Sequence, residues 1–579
     1  MKRIRFTAVA ALFLAAAMLL TSCAGDSSTA TTVATTAAAT TAAATTAAGA
    51  TTAATTTAAA TTAAITAAAS DGPVTAAGCL PIVNEMIDLE IMMAVNTAVS
   101  DYENNDMTRK MEEMTNIHIN WNMVADMATT KPLLLASGDL PEVFGNAGMT
   151  AEEQMTYSEK GVFIDQKPYI DQYGYYIMKM FDYDTNVEKE ITLPSGMIVS
   201  LPSYSLTYHM TAANKLWMNR DWLAAVNMSA PTTVEEFYDV LTAFKTGDPN
   251  GNGQNDEIPF TGVDVSGWHS VVPYVMAAYI VTDNQEGRYF AQPYAGTVDI
   301  VFDKDVWREG LTYLNKLYSE GLIDPECFTQ DIDLRKQKVE AGQIGATGSN
   351  APSSFAVADS EMFKVYDAIE PLIGTDGARH AAYTGTPIVT GFFTITRECK
   401  NPEAAFRWAD FCYNEEYNCD FIYGNEGAQW RKAEDGETGI NGKQAIFTTL
   451  EGFSGVNQNV SWYQTIHNFR TAEWRLGDLG ATEETYYLRA GMESRIYDAT
   501  TLYEPYYTTD IVPVNLYVPT EDAKEYSDIK TALYDYMKEC TARFITGDMS
   551  IDAEWDSYIA ELDHIGLDRY LELVASAIN

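Results

Sequence analysis

Positive charge is scarce in this 579-residue chain: 37 Lys and Arg stand against 80 Asp and Glu. With the three basic and two acidic residues ahead of position 73 set aside, 34 basic face 78 acidic, a net charge of −44. Such a field repels nucleic acid and anionic membrane, and it argues against an anionic cargo steered from afar. Cysteine is sparse too. Seven are present, and Cys79, Cys327, Cys399, Cys412, Cys419 and Cys540 show no C-x-x-C or other ligand spacing, which excludes the common zinc and redox motifs. Cys412 and Cys419 are near enough in sequence to pair, but no disulfide is assigned. The six histidines (118, 209, 269, 380, 467 and 564) contain no H-E-x-x-H. "EGFSG" places its second glycine one residue too early for a G-x-S-x-G nucleophile elbow. "GETGINGKQ" mimics a phosphate loop but has the wrong spacing and ends Lys-Gln. Acidic pairs able to hydrolyse glycosides could arise anywhere among 80 carboxylates, yet no motif singles one out. Catalysis is not expected.

Long apolar runs are missing as well, except at the start. Lys2, Arg3 and Arg5 precede "FTAVAALFLAAAMLL", which is short for a membrane span and has the order of an export signal over residues 1–22. Leu20-Thr21-Ser22-Cys23 resembles a lipobox, with Cys23 the lipidated first residue of the mature chain; plain secretion with cleavage at a small residue is the alternative. Residues 29–69 are Thr and Ala apart from Val33, Gly49 and Ile65, without charge or an apolar face to dock. The stretch 23–74 therefore reads as a disordered linker, its threonines open to O-linked sugars. A flexible coil of about 45 residues spans on the order of 35–40 Å, enough to hold a body clear of a membrane.

The remainder of the chain is rich in structural signals. From about residue 80, short apolar strands alternate with amphipathic helices, the pattern of α/β lobes. "DMTRKMEEMTNIHINWNMV" predicts a helix ending near Asn116 and a strand over 117–124. "PLLLASGDLPEVFGNAG" predicts a helix, a Ser-Gly-Asp turn and a short strand, and "NKLWMNR" (214–220) another strand. Thr232 with Glu235, or Thr233 with Glu236, opens a helix whose Phe237, Val240, Leu241 and Phe244 form one apolar face. Asn401 and Pro402 open a further helix, and 519–575 is strongly helical.

The predicted helix after Thr233 runs into "DPNGNGQNDEIP" (248–259). A calcium loop needs six to eight oxygens at about 2.4 Å on a backbone able to curl around the ion. Asp248, Asn250 and Asn252 alternate as positions 1, 3 and 5, Gly253 supplies the turn at 6, and Gln254 offers its carbonyl at 7. Position 12, the bidentate Glu of an EF-hand, is Pro259; Asp256 and Glu257 must close the site instead. The alternative is a surface turn that holds nothing. With all donors on one loop, a structural ion is expected, and Mg²⁺, which prefers tight octahedra, suits it less.

"LWMNRDWLAAVNMSAPTTVEEFYDVLTAFKTGDPNGNGQNDEIPF" (216–260) resembles a segment of the bacterial extracellular solute-binding proteins, family 1, in the large lipoprotein branch that includes calcium-bearing alginate-binding proteins. "LASGDLPEV" (135–143), "KNPEAAFRWADF" (400–411), "YGNEGAQW" (423–430) and "FITGD…W…Y…L…GLDRYLE" (544–572) come in the same order. The resemblance implies a type II periplasmic-binding-protein clamp: two α/β lobes, crossing strands between them and a helical C-terminal region. It implies a first lobe over 75–203 and 385–460 and a second over 204–384 and 461–579. It implies Ca²⁺ held by Asp248, Asn250, Asn252, the Gln254 carbonyl, Asp256 and Glu257. It also implies a monomeric, extracellular, lipid-anchored receptor that delivers a small solute to an ABC permease. A carbohydrate or oligosaccharide is the expected cargo, since 34 Tyr, 22 Phe and 10 Trp offer ample stacking surface. A sensor, an adhesion lipoprotein and a peptide receptor with the same clamp stay open. The expected cargo contacts are Trp268, Asn425, Glu426 and Trp430, then Asp139, Tyr204 and Trp462, with core packing the competing role for each aromatic.

Overall fold

The computed structural model describes residues 73–578 except 209–210, 282–289, 295–296, 384–386, 451–456, 510–511 and 514. Cys23, the export signal and the whole Thr/Ala stretch over 29–69 lie outside the described residues. The body begins at once: Val74 is buried in a core, and the Arg407 guanidinium donates to the carbonyls of Thr75, Ala76 and Cys79.

Two sheets organise the chain. The strands, in order, are β1 (Ile87–Ala94), β2 (Ile117–Val124), β3 (Val143–Gly145), β4 (Ser200–Ser205), β5 (Lys215–Asn219), β6 (Ile258–Thr261), β7 (Phe290–Tyr294), β8 (Thr297–Ile300), β9 (Ile344–Ser349), β10 (Tyr366–Ile369), β11 (Ile388–Ile395), β12 (Trp430–Lys432), β13 (Phe447–Thr449) and β14 (Phe469–Arg470). The first sheet has the order β14-β4-β11-β3-β1-β2 and the second β10-β5-β9-β6. β1 pairs in parallel with β2 and β3, β14 with β4, and only β11 runs against its neighbours β3 and β4. In the second sheet β6 and β9 are parallel, and β5 runs against both β9 and β10.

Local chemistry sets these elements. The Asn105 side chain accepts from Met107 N to start helix Asp106–Thr115, and Asn116 ends it in the left-handed region at φ 59°. This releases the chain directly into β2. Thr233 caps helix Val234–Thr246 by accepting from Glu236 N, but the Glu236 carboxylate accepts from Thr232 N at 2.8 Å instead of from Thr233 N, so only one half of the second expected capping box forms. Asn401 stands at the N-cap of helix Pro402–Phe411 without a side-chain bond there. Each sheet buries both faces, as strands under crossover helices do. On β1, Ile91 and Met93 enter one core with Trp408 and Trp462, while Met92 points to a second with Phe144 and Met155. On β5, Leu216 and Met218 face a core shared with the C-terminal helices, and Trp217 faces the other side with Phe355 and Ile496.

The connections fix how the sheets meet. The chain leaves the carboxyl end of β4 and enters the amino end of β5; it leaves the carboxyl end of β10 and enters the amino end of β11. In each sheet those ends lie on the edge that carries the other strands' carboxyl termini. The two carboxyl edges therefore face each other across the crossings. A third crossing comes after helix Ala472–Leu476 and leads to helix Met492–Thr501. Its position departs from the expected boundary at 461. Trp462, Ile466, Phe469 and Trp474 all pack in the first sheet's core, because β14 adds to β4 and draws the segment with it. β4 itself runs on to Ser205, two residues past the expected first boundary. Tyr517 also returns to the first lobe, buried beside Phe163 with its hydroxyl donating to Glu190 O.

Candidate functional site

On the second sheet's edge, the loop after β6 lies flat on two glycines. A Cβ on Gly262 would stand 2.7 Å from His269 O, and one on Gly348 2.8 Å from Ser270 O, so only glycine lets the loop come down. Val263 N donates to His269 O at 2.8 Å. His269 Nδ1 lies 3.4 Å from Arg335 Nη2 and 3.3 Å from Ser349 Oγ, both able to donate to it. Arg335 is fully buried and also donates to the carbonyls of Gly348 and Ser354. Burial first, and the guanidinium second, push the His269 pKa down to about 3, so the ring is a neutral strut. This scaffold holds Trp268 half-exposed at the edge. Asn214, the residue ahead of β5, sits on the same edge and is 7 % exposed.

On the first sheet's edge, Asn146 takes a left-handed conformation (φ 44°), donates its backbone N to Phe392 O and its side-chain amide to Thr465 O. A Cβ on Gly391 would meet Met149 O at 2.1 Å, so this glycine admits the loop after β3. Tyr463 is half-exposed and held at φ 57°, a conformation that costs a bulky residue roughly 1–3 kcal/mol. The crossings are lined with tyrosines: the rings of Tyr208 and Tyr497 lie 5.1 Å apart, and those of Tyr383 and Tyr507 5.0 Å apart.

Of the expected cargo contacts, Trp268 alone combines an edge position with a half-exposed ring. Asn425 and Glu426 are exposed in a turn beside the first turn of helix Asp106–Thr115, with Asn425 Nδ2 donating to Asp106. Trp430 is buried, its indole N–H donating to Gly424 O at 2.9 Å. Trp462 is fully buried, donates to Thr108 Oγ1 at 2.8 Å and stacks on Phe421. Tyr204 is buried in β4 and bonds Asp184. These three aromatics are core, because strand pairing and an aromatic cluster already satisfy both their rings and their polar atoms. Asp139 is exposed but lies ahead of β3, at the sheet's opposite edge, since helix Met127–Ser137 carries the chain back from the carboxyl end of β2. Asn214 and Tyr463 had no motif to mark them.

The oxygen-rich loop joins helix Val234–Thr246 to β6 with Asp248, Gly251 and Gly253 all at positive φ. Asp248 accepts from Gly253 N, and Asp256 Oδ1 accepts from the amides of Asn250 and Asn252. These neutral donors, with Gln343, hold the Asp256 carboxyl below its usual range. Asn250 and Gln343 tie the loop to the turn ahead of β9. No group of three or more His, Cys, Asp or Glu side chains close enough for a metal occurs among the described residues, so a cation here would draw on amide and backbone oxygens too. Glu257 Oε1 is buried without a hydrogen-bond partner, an orphaned acceptor that fits a hard cation.

The model of the family described as bacterial extracellular solute-binding protein matches residues 97–418, more than half of the chain. This chain belongs to that family. The solute-binding protein is 28 % identical over 505 residues to the fructooligosaccharide ABC transporter substrate-binding protein FusA of Streptococcus pneumoniae serotype 4, covering 83 % of this chain and 88 % of that one. Among solved structures, an extracellular solute-binding protein from Bifidobacterium longum subsp. infantis superposes with a TM-score of 0.73 at 21 % identity, covering 85 % of this chain and 98 % of that one. A FusA EF-hand mutant in complex with fructo-nystose superposes at 0.70 and 24 % identity, covering the same shares of the two chains. The solute-binding protein thus has the two-lobed α/β fold of these neighbours, with a helical C-terminal region.

Proposed function

We propose that the protein is a lipid-anchored receptor of an ABC importer that captures an oligosaccharide between the facing edges of its two sheets. The observation that carries this reading is the pair of half-exposed aromatics, Trp268 and Tyr463, each presented by a rigid loop on an opposing edge. Sugars offer C–H faces for stacking and hydroxyls for polar groups, which such edges suit. The likeness to a fructooligosaccharide-binding relative along most of both chains supports the same class of cargo. Cargo that touches both edges favours the closed arrangement, because only the closed state makes both sets of contacts. Closure is then the signal to a permease.

The loop over 248–257 would hold a structural Ca²⁺ through Asp248, Asn250, Asn252, the Gln254 carbonyl, Asp256 and Glu257. The ion would fix the junction of a capped helix with the β6–β9 pair and take no part in cargo contact. Lipidation at Cys23 would tether a monomeric body through the Thr/Ala linker to the outer face of the cell membrane.

The test is calorimetric titration of the exported chain with fructo-oligosaccharides, other glycans and peptides. Micromolar or tighter binding of an oligosaccharide is expected, with a rise in melting temperature on saturation. Binding of peptides and of no glycan would overturn the carbohydrate reading in favour of a peptide receptor.

A further inference from the structure

We infer that the amide of Asn214 is a hydrogen-bonding site for the cargo, built to take two adjacent hydroxyls at the second sheet's edge. Among the described residues, it is the only buried side chain with both its polar atoms, Oδ1 and Nδ2, lacking a protein partner. Other buried amides lose one bond and keep another: Gln330 Nε2 donates to Thr261, Gly262 and Asp324, and Asn418 Nδ2 donates to Phe469 O. A donor and an acceptor buried together without protein partners destabilise the free protein, and such a pair calls for a partner from outside the chain. The placement agrees. Lys215 pairs with Ser349, so Asn214 lies one step beyond the last paired position, on the carboxyl edge of β9. Ser349 Oγ contacts His269, the neighbour of Trp268, which brings the stacking surface to the same edge. Tyr507 donates to Thr211 in the crossing just before it, fixing the approach of the segment.

The chemistry selects the partner. A primary amide presents one acceptor and two donors in a plane, and two vicinal hydroxyls can each donate or accept. One hydroxyl gives its proton to Oδ1 while the other receives one from Nδ2. A carboxylate or an ammonium ion on the cargo would satisfy one end and repel or strand the other. Stacking from Trp268 then favours a sugar ring over an extended peptide, whose backbone could also pair with the amide. The inference rests on the oligosaccharide reading above.

The near-isosteric variant Asn214→Leu tests it in the exported chain, read by calorimetry and by thermal unfolding without ligand. The oligosaccharide identified with the wild-type protein is the probe, together with its analogue lacking one hydroxyl of the contacted pair. We expect the ligand-free variant to melt no lower than wild type, and the dissociation constant for the parent sugar to rise at least tenfold. The deoxy analogue keeps only one of the two bonds, so the ratio of its dissociation constants between variant and wild type should be smaller than that of the parent sugar. Equal affinity of wild type and variant for the parent sugar would overturn the inference alone, as would a lower melting temperature of the ligand-free variant, which would mark Asn214 as structural. Absence of glycan binding by wild type would overturn the oligosaccharide reading, and the inference with it.

Discussion

Removal of calcium offers the sharpest quantitative test of the 248–257 loop. The loop touches three elements at once: the end of helix Val234–Thr246, the start of β6, and the Gly342–Gln343 turn before β9. The donors lie on one loop, but Gly342 and Gln343 hold Asn250 and Asp256 in place only in the folded chain, so the proposed ion would bind the native state in preference to the unfolded one. At free calcium a hundredfold above the dissociation constant, that linkage stabilises the fold by about 2.7 kcal/mol. For a cooperative unit of 150–250 residues, each kcal/mol moves the melting temperature by roughly 2–4 °C, so chelation should lower it by about 5–11 °C. Scanning calorimetry in 1 mM Ca²⁺ and in excess chelator measures the difference, and elemental analysis counts the ion. Glu257→Gln separates metal from mere loop chemistry. Glu257 Oε1 has no hydrogen-bond partner within the protein, so the variant should melt no lower than wild type in chelator and lose most of the calcium increment. No bound metal together with an unmoved transition would refute the site; a full increment in the variant would refute the assignment of Glu257.

Trp462→Ala removes a fully buried ring from an aromatic cluster and strands the Thr108 hydroxyl; a loss of about 3–5 kcal/mol is expected in chemical denaturation. A cost under about 1 kcal/mol would return Trp462 to the cleft. Trp268→Ala should weaken oligosaccharide binding by roughly 2- to 13-fold, the equivalent of about 0.5–1.5 kcal/mol of stacking, with little change in ligand-free melting. Calorimetry showing unchanged affinity would remove it from the site. Burial holds the His467 pKa down to about 4, while its neutral ring donates from Nε2 to Ala409 O at 2.8 Å. A depressed histidine keeps its contribution above the unfolded value near 6.5 and loses it as pH falls toward 4, by up to about 1.4 kcal/mol per pH unit. The stability of His467→Gln should therefore fall less steeply than that of wild type across pH 6.5 to 4, and parallel profiles would contradict the neutral, buried ring.

Local signals carried much of the secondary structure. Asn105, Asn116, Thr233 and Pro402 act through their own backbone neighbours, and the elements they bound stand where capping chemistry puts them. The same holds for the loop after Gly247: alternation of Asp248, Asn250 and Asn252 with glycines is a property of adjacent residues. The apolar periods of "VEEFYDVLTAF" and "NKLWMNR" likewise announced a helix and a strand without reference to anything distant.

The cargo face was not legible in this way, because exposure of an aromatic depends on pairings far apart in the chain. Trp462 looks no different from Trp268 in sequence. One is sealed by Phe421, Thr108 and the β14–β4 pairing, and the other is propped at an edge by Arg335 and two glycines. Asp139 sits in a turn like many that touch ligands, yet the direction of one helix sends it to the wrong edge. Asn214 reads as the first residue of a strand, and only the fold leaves both its amide atoms buried without partners. Contiguous residues were enough to establish the family, the helix and strand order and the oxygen-rich loop, since each of these is written in near neighbours. Where the third crossing falls, and which polar groups are left buried without a protein partner, depended on the assembled fold. Burial and pairing are properties of residues brought together from opposite ends of the chain.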